Sequence, residues 1–236
     1  MTPDLLSAVM EATWPAAASH RTGPWRVRDG QGGGKRVSAT TAEAPWRDED
    51  IPLAEAAMQT LGQPNLFLIR GQDDLLDQAL QSRGYRVVDP VVAYAAPAAA
   101  LADPPAPHMA GFPHWPPLAI CTQLWAEGGI GPARIAVMDR ATGPKCAILA
   151  RQNDRPTGVA FVAVHQKVAM LHALEVTANA RRQGSAHNIL RCAGAWALEN
   201  GAETLALVVT VANGPARALY ASLQMGIVGH YHYRQR

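Results

Sequence analysis

Arg181, Arg182, Gln183, Gly184, Ser185 and Ala186 lie between an apolar run that ends at Glu175-Val176 and a helical pattern that continues to Asn200. Basic side chains, a glycine and the start of a helix, in that order, suit the binding of an anion. A helix N-terminus presents backbone N–H groups with no intrahelical acceptor and the positive end of its dipole. Gly184 lets the backbone come close to a ligand. Arg181 and Arg182 add charge that matches phosphate oxygens. These six residues predict phosphate binding, with a pyrophosphate as the ligand. A second glycine-rich stretch, Asp29–Gly34 followed by Lys35, fails the P-loop spacing: Asp29 stands where the first Gly belongs, and Arg36 where Ser or Thr belongs. It reads as a flexible hairpin turn.

The elements around the basic turn follow from periodicity. Lys145–Arg151, Gly158–His165 and Val168–Val176 read as three consecutive strands, joined by an Asn-Asp-Arg-Pro turn at 153–156 and a tight turn at Gln166-Lys167. A helix from Gly184 or Ser185 to Asn200 places Ala186, Ile189, Leu190, Ala193, Trp196 and Ala197 on one face, with Gly201 at its end. Thr204–Thr210 is a buried strand. Asn213 starts the next helix with Pro215 in its first turn, and His230–Arg234 closes as a strand. Leu118–Glu127 reads as a helix ahead of all these.

Seven prolines crowd into 97–117 among many alanines, which reads as a linker. It divides the chain into parts of about 100 and about 120 residues, each the size of a small domain. The N-terminal part gives the order helix (from Leu5), two strands (Trp25–Arg28 and Arg36–Thr40), helix (Leu53–Leu61), strand (Leu66–Ile69), helix (Asp73–Arg83, with Leu75, Leu76, Ala79 and Leu80 on one face) and strand (Tyr85–Tyr94).

Composition narrows the function. A formal charge of +2 over 236 residues argues against nucleic acid or a membrane surface as a partner. No run approaches the roughly 18 apolar residues of a membrane helix, and the start of the chain lacks the pattern of a signal peptide. Cys121, Cys146 and Cys192 show no metal or disulfide spacing and read as small buried hydrophobes in a cytoplasmic protein. His230 and His232 alternate on a strand but lack a carboxylate or cysteine to complete a metal site, so no metal is expected.

Residues 171–234 resemble the GNAT superfamily of acyl-CoA-dependent N-acyltransferases. The pattern (Arg/Gln)-x-x-Gly-x-(Gly/Ala) is met by Arg181, Gly184 and Ala186. The later Asn-x-x-Ala-x-x-Leu-Tyr is met by Asn213, Ala216, Leu219 and Tyr220. Leu174-Glu175-Val176 ends the preceding strand as the family's strands often do. One departure stands out: Leu223-Gln224-Met225 replaces Leu-Gly-Phe, which shifts the expected turn to Gly226.

The resemblance implies an α/β (α+β) GNAT fold: a mixed twisted sheet flanked by helices, with a V-shaped split between strands 168–176 and 204–210. It implies acetyl-CoA in that split. Backbone groups near Leu174 and Val176 would pair with the pantetheine, the amides of Arg182, Gln183, Gly184, Ser185 and Ala186 would hold the pyrophosphate, and Asn213 and Ala216 would line the pantetheine path. Glu175 is the candidate general base, direct or through water, and Tyr220 the candidate general acid; the Val176 N–H would polarise the thioester carbonyl. His172 lies near the opening and is read as a packed or solvated strand histidine. The acceptor would be a small-molecule or peptide amine, and the protein a monomer or homodimer. Residues 1–96 then read as a degenerate GNAT-like domain and 118–236 as the catalytic one. The alternative is a non-catalytic GNAT-fold module that binds acyl-CoA as a sensor.

Overall fold

The computed structural model describes residues 1–236. Helix α1 (Pro3–Thr13) begins where the Thr2 hydroxyl accepts the Leu5 N–H, and it buries Leu6, Val9, Met10 and Thr13. A hairpin of β1 (Ala18–Thr22) and β2 (Trp25–Asp29) follows. Residues 36–40, expected as a strand, instead form most of a helical turn, α2 (Lys35–Ser38), ahead of the two-residue β3 (Thr41–Ala42). The glycine loop before it is therefore no hairpin turn. Gly33 sits so close to Val37 and Val137 that a Cβ would lie 2.9 and 2.5 Å from their methyls, so the loop is wedged against the protein body.

The N-terminal half continues with α3 (Ile51–Thr60), β4 (Leu66–Arg70), α4 (Asp74–Ser82) and β5 (Arg86–Pro97). Asp73 precedes α4, but its carboxylate accepts from the Arg70 N–H and Nε rather than capping the helix. Leu75, placed on the inner face by periodicity, is exposed.

Residues 97–117, expected as a linker, are folded. Ala98 and Leu101 of α5 (Ala98–Ala102) are buried, and β6 (Gly111–His114) pairs along the sheet edge, where Pro113 is tolerated. Gly194 permits this packing: a Cβ there would lie 2.8 Å from the Ala98 carbonyl oxygen.

The rest comprises α6 (Ala119–Glu127), α7 (Pro132–Arg140), β7 (Lys145–Gln152), β8 (Arg155–His165), β9 (Val168–Val176), α8 (Ser185–Glu199), β10 (Thr204–Thr210), α9 (Gly214–Ser222) and β11 (Gly226–Gln235). Short α7, started by Pro132, has no counterpart in the sequence reading. Gln224 itself takes the left-handed conformation that ends α9 (φ 56°), so the turn is not shifted to Gly226, which begins β11.

Eight strands form one mixed sheet in the order β4-β11-β5-β10-β9-β8-β7-β6, in which only β10 and β9 are parallel. Two strand–helix–strand units, β4-α4-β5 and β10-α9-β11, interleave at its left end. β11 enters between β4 and β5, and β5 between β11 and β10. Hydrogen bonding of the sheet thus crosses the boundary drawn at 97–117. Arg234 of β11 fastens the crossing by donating to both carboxylate oxygens of Asp77 on α4 at 2.7 and 3.0 Å. His232 packs its Nε2 2.7 Å from the same carboxylate.

Strand alternation sends side chains to two layers. Cys146, Ile148 and Ala150 join α5 and α8 in one core, while Ala147 and Leu149 join α6 and α7 in the other. A third cluster seats α1 against β4, β5, β10 and β11.

Candidate active site

Parallel pairing of β9 with β10 runs from Val168↔Thr204 to Leu171↔Leu207 and stops there. The cause lies one residue on. Between the pairs His172↔Phe161 and Glu175↔Val159, two residues of β9 face one of β8, and Ala173 takes φ 52°. This β-bulge bends the strand away from its neighbour. The fully buried Trp125 pins it by donating its indole N–H to the Ala173 carbonyl at 2.8 Å. The strands therefore part into a wedge. Leu171–Glu175 line one side and Leu207–Thr210 the other of a cavity of about 350 Å³.

Glu175, Leu174, Asn213 and Tyr220 all line this cavity. Glu175 is half-buried and fits into space left by Gly128, where a Cβ would fall 2.7 Å from its Cγ and Cδ. Burial raises its carboxyl above the usual range, opposed by the charges of Arg181 and Arg134. Tyr220 is buried against Tyr94, with ring centroids 5.6 Å apart. Burial pushes its phenol up to about 12, so it carries its proton at neutral pH. Asn213 caps α9 by accepting the Ala216 N–H through Oδ1 at 3.2 Å, which leaves its Nδ2 for a ligand. Ala216 thus has its amide committed to the cap and packs against the core.

Val176 lies outside the cavity lining. Its carbonyl accepts from Arg181 Nε at 3.3 Å. The Thr177 N–H is bonded to Thr157 on β8, so antiparallel alternation turns the Val176 N–H to the opposite edge.

Beyond β9 a single 3-10 turn (Ala178–Ala180) leads into residues with φ 60° at Arg182 and 92° at Gly184. The amides of Arg182, Gln183, Gly184, Ser185, Ala186 and His187 have no acceptor in the protein. Consecutive free amides in such a turn make a concave stretch of backbone, a nest, of the kind that suits an anion, at the start of α8. The side chains of Arg181, Arg182 and Gln183 are exposed; the Ser185 hydroxyl is buried and donates to Thr157 Oγ1 at 3.1 Å, so Ser185 offers only its amide.

His172 also lines the cavity. Arg36 Nη1 donates to its Nδ1 at 3.0 Å, so its Nε2 carries the proton and faces Thr13 Oγ1 at 2.9 Å; that hydroxyl donates to the Val9 carbonyl. Burial, and then the Arg36 charge, hold its pKa well below the usual histidine range. Both ring nitrogens are engaged, which makes His172 a neutral structural group.

Sequence reasoning missed several residues at the wedge: Trp125, Gly128, Arg134, Arg36, Tyr231 and Tyr233. Only Gly128-Gly129 and the glycines before Arg36 carry a local signal, because backbone approaches closely there.

A mixed sheet split between two parallel strands, with an amide nest opening the helix that follows, is the architecture of the GNAT acyltransferases. Residues 120–225 match the model of the Acetyltransferase (GNAT) family. The chain is 26% identical over 234 residues to the uncharacterized N-acetyltransferase YobR of Bacillus subtilis, covering 94% of each chain. Its fold is similar to that of a GCN5-related N-acetyltransferase from Kribbella flavida (TM-score 0.72, 16% identity, 100% of this chain and 95% of that one). It is also similar to a tandem GNAT protein from the clavulanic acid biosynthesis pathway (TM-score 0.64, 12% identity, 98% and 87%).

Proposed function

We propose that this chain transfers an acetyl group from acetyl-CoA to a primary amine by direct attack, with Glu175 as general base and Tyr220 as general acid. The observation that carries this reading is the convergence of Glu175, Asn213 and Tyr220 on one cavity in the split. The free amides of Arg182–Ala186 follow directly on the strand that forms one side of it.

Acetyl-CoA supplies the acetyl thioester. The amides at 182–186, with the Arg181 and Arg182 side chains nearby, suit its pyrophosphate. Leu174 and the Val176 N–H offer an unpaired strand edge for the pantetheine, with Asn213 Nδ2 facing it across the wedge. Ala216 serves through packing. An ammonium must lose its proton before it can attack a thioester. A carboxylate with a raised pKa is better matched to that proton than an exposed one. The thiolate that leaves needs a proton, and a phenol that stays protonated near neutral pH holds one. The Val176 N–H would stabilise charge on the thioester oxygen.

Residues 1–96 act as the partner half that walls the acceptor side: Trp14, Arg36 and Asp89 all line the cavity. The chain would act in the cytoplasm, as a monomer or homodimer, on a small-molecule or peptide amine.

The test is CoA release across an amine panel, alongside thermal stabilisation by acetyl-CoA, which at 100 times Kd is worth about 2.7 kcal/mol. Gly184→Glu places a carboxylate in the nest and should abolish that stabilisation, whereas Gly184→Ala, equally strained at φ 92° but uncharged, should keep more of it. Tyr220→Phe should lower kcat by about a hundredfold or more with little change in acetyl-CoA affinity. Tight acetyl-CoA binding without turnover of any amine would establish the sensor instead.

A further inference from the structure

Most charged groups around the cavity have an opposite charge near enough to act on them; Arg36 does not. Lys35 lies 2.9 Å from Asp89. Glu175 feels the charges of Arg134 and Arg181. Arg36 has no carboxylate within ion-pair distance. Its Nη1 is spent on the neutral lone pair of His172 Nδ1, and its Nε is buried with no acceptor. The Tyr231 and Tyr233 phenols are its other polar neighbours. Arg36 also lines a second cavity, of about 670 Å³, with Trp14 and Tyr231 common to both. The acids of that second cavity do not compensate it either: Glu11 is bound by Arg26 and Arg28, Glu43 by Arg70, and Asp4 is exposed and makes no ion pair with Arg36.

A guanidinium taken out of water without a counter-charge is costly, and natural proteins retain such groups where a ligand completes them. The local fold is built to put it there. Gly33 admits the loop against Val137, and α2 then directs Arg36 inward. A guanidinium is a planar fork that fits a carboxylate through two parallel hydrogen bonds, and beyond His172 only the two phenols lie beside this one.

We propose that the acceptor is an amine that bears its own carboxylate, an amino acid or amino acid-like compound. Arg36 is the residue that binds this carboxylate, with the Tyr231 and Tyr233 phenols beside it, while the amine is presented to Glu175. This deepens the reading of the site as an amine acetyltransferase and rests on it. It excludes polyamines as the preferred acceptors, since a second cation would meet Arg36.

The test uses matched pairs: the twenty protein amino acids, β-alanine and 4-aminobutyrate, each against its C-terminal amide. CoA release and calorimetric binding are both measured on the wild-type chain and on Arg36→Gln and Arg36→Lys. At least one acid should exceed its amide by about a hundredfold in kcat/KM and in affinity, the size expected when a buried charge loses its partner. Arg36→Gln should bring that acid down to the level of its amide, and Arg36→Lys should restore part of the difference. Acetyl-CoA should still stabilise both variants. Acids that bind in an Arg36-dependent way without being acetylated would uphold the site and overturn the catalytic reading. The proposal is overturned if no acid exceeds its amide in either assay, if polyamines are the better acceptors, or if Arg36→Gln weakens acid and amide alike.

Discussion

Gly128→Ala tests the placement of Glu175 with a single methyl group. Gly128 has φ −82° and ψ 6°, values open to alanine, so the backbone itself has no objection to the change. The new Cβ would lie 2.7 Å from Glu175 Cγ and Cδ and 2.9 Å from Oε2. Ordinary contact begins at 3.4 Å, so the carboxylate must retreat by about 0.7 Å. The affected atoms include Cγ, so the retreat requires a changed χ1 and not a swing of the carboxylate alone. A displacement of this size at a catalytic group costs up to about 10²-fold in rate, or roughly 2.7 kcal/mol of barrier. Steady-state kinetics should show kcat falling by about ten- to a hundredfold with KM for acetyl-CoA nearly unchanged. The same substitution in a Glu175→Gln background should add far less, because the two changes act on one group. A Gly128→Ala enzyme with wild-type kcat, or an equal loss in both backgrounds, would refute the reasoning.

Trp125→Phe keeps most of the packing but leaves the Ala173 carbonyl without its donor. Stability should fall by about 1–3 kcal/mol in denaturant titration, and kcat should fall with it as the bulge relaxes; unchanged values in both would show that the bulge holds itself. Glu175→Gln should lose most activity at pH values below the pKa of the acceptor amine, where a proton must be removed, and the gap to wild type should narrow as pH rises to that pKa. Burial raises the Glu175 pKa, so its ionised form burdens the folded state fully above the raised value and not at all below the ordinary value of 4.5. The same variant should therefore melt higher than wild type at neutral pH and lose that advantage in acid, as scanning calorimetry at both pH values would show.

The C-terminal half was legible because its signals are local. Thr204–Thr210 is apolar and continuous, the cap of α9 is announced by Asn213 and Pro215, and the helix after Gly184 carries a clear stripe. Residues 97–117 misled because prolines mark chain ends and edges as well as linkers; what folds them is the Gly194 contact, nearly a hundred residues away. Residues 36–40 alternate like a strand, but with one inward residue per turn at Val37 a short helix satisfies the same pattern. The wedge itself left no trace in periodicity. It depends on Ala173 in a left-handed conformation and on an indole 48 positions away, and neither carries a local signature. In the sequence Arg36 reads as the residue that spoils a P-loop and the first of an expected strand; its lack of a counter-charge becomes visible once His172 and the two tyrosines surround it.

The interleaved strands also set the order in which the molecule can be completed. β4 and β5 are close in sequence, yet their shared place in the sheet is held open for β11, more than a hundred residues later. Contacts of such separation close late and slowly, because loop entropy must be lost before they form. Tyr231 and Tyr233, which border Arg36, arrive on that same strand. The side of the cavity that Tyr231 and Tyr233 form therefore rests on the longest-range contacts of the sheet, and a chain with its nest and α8 already formed but β11 unpaired would still lack the surroundings of Arg36.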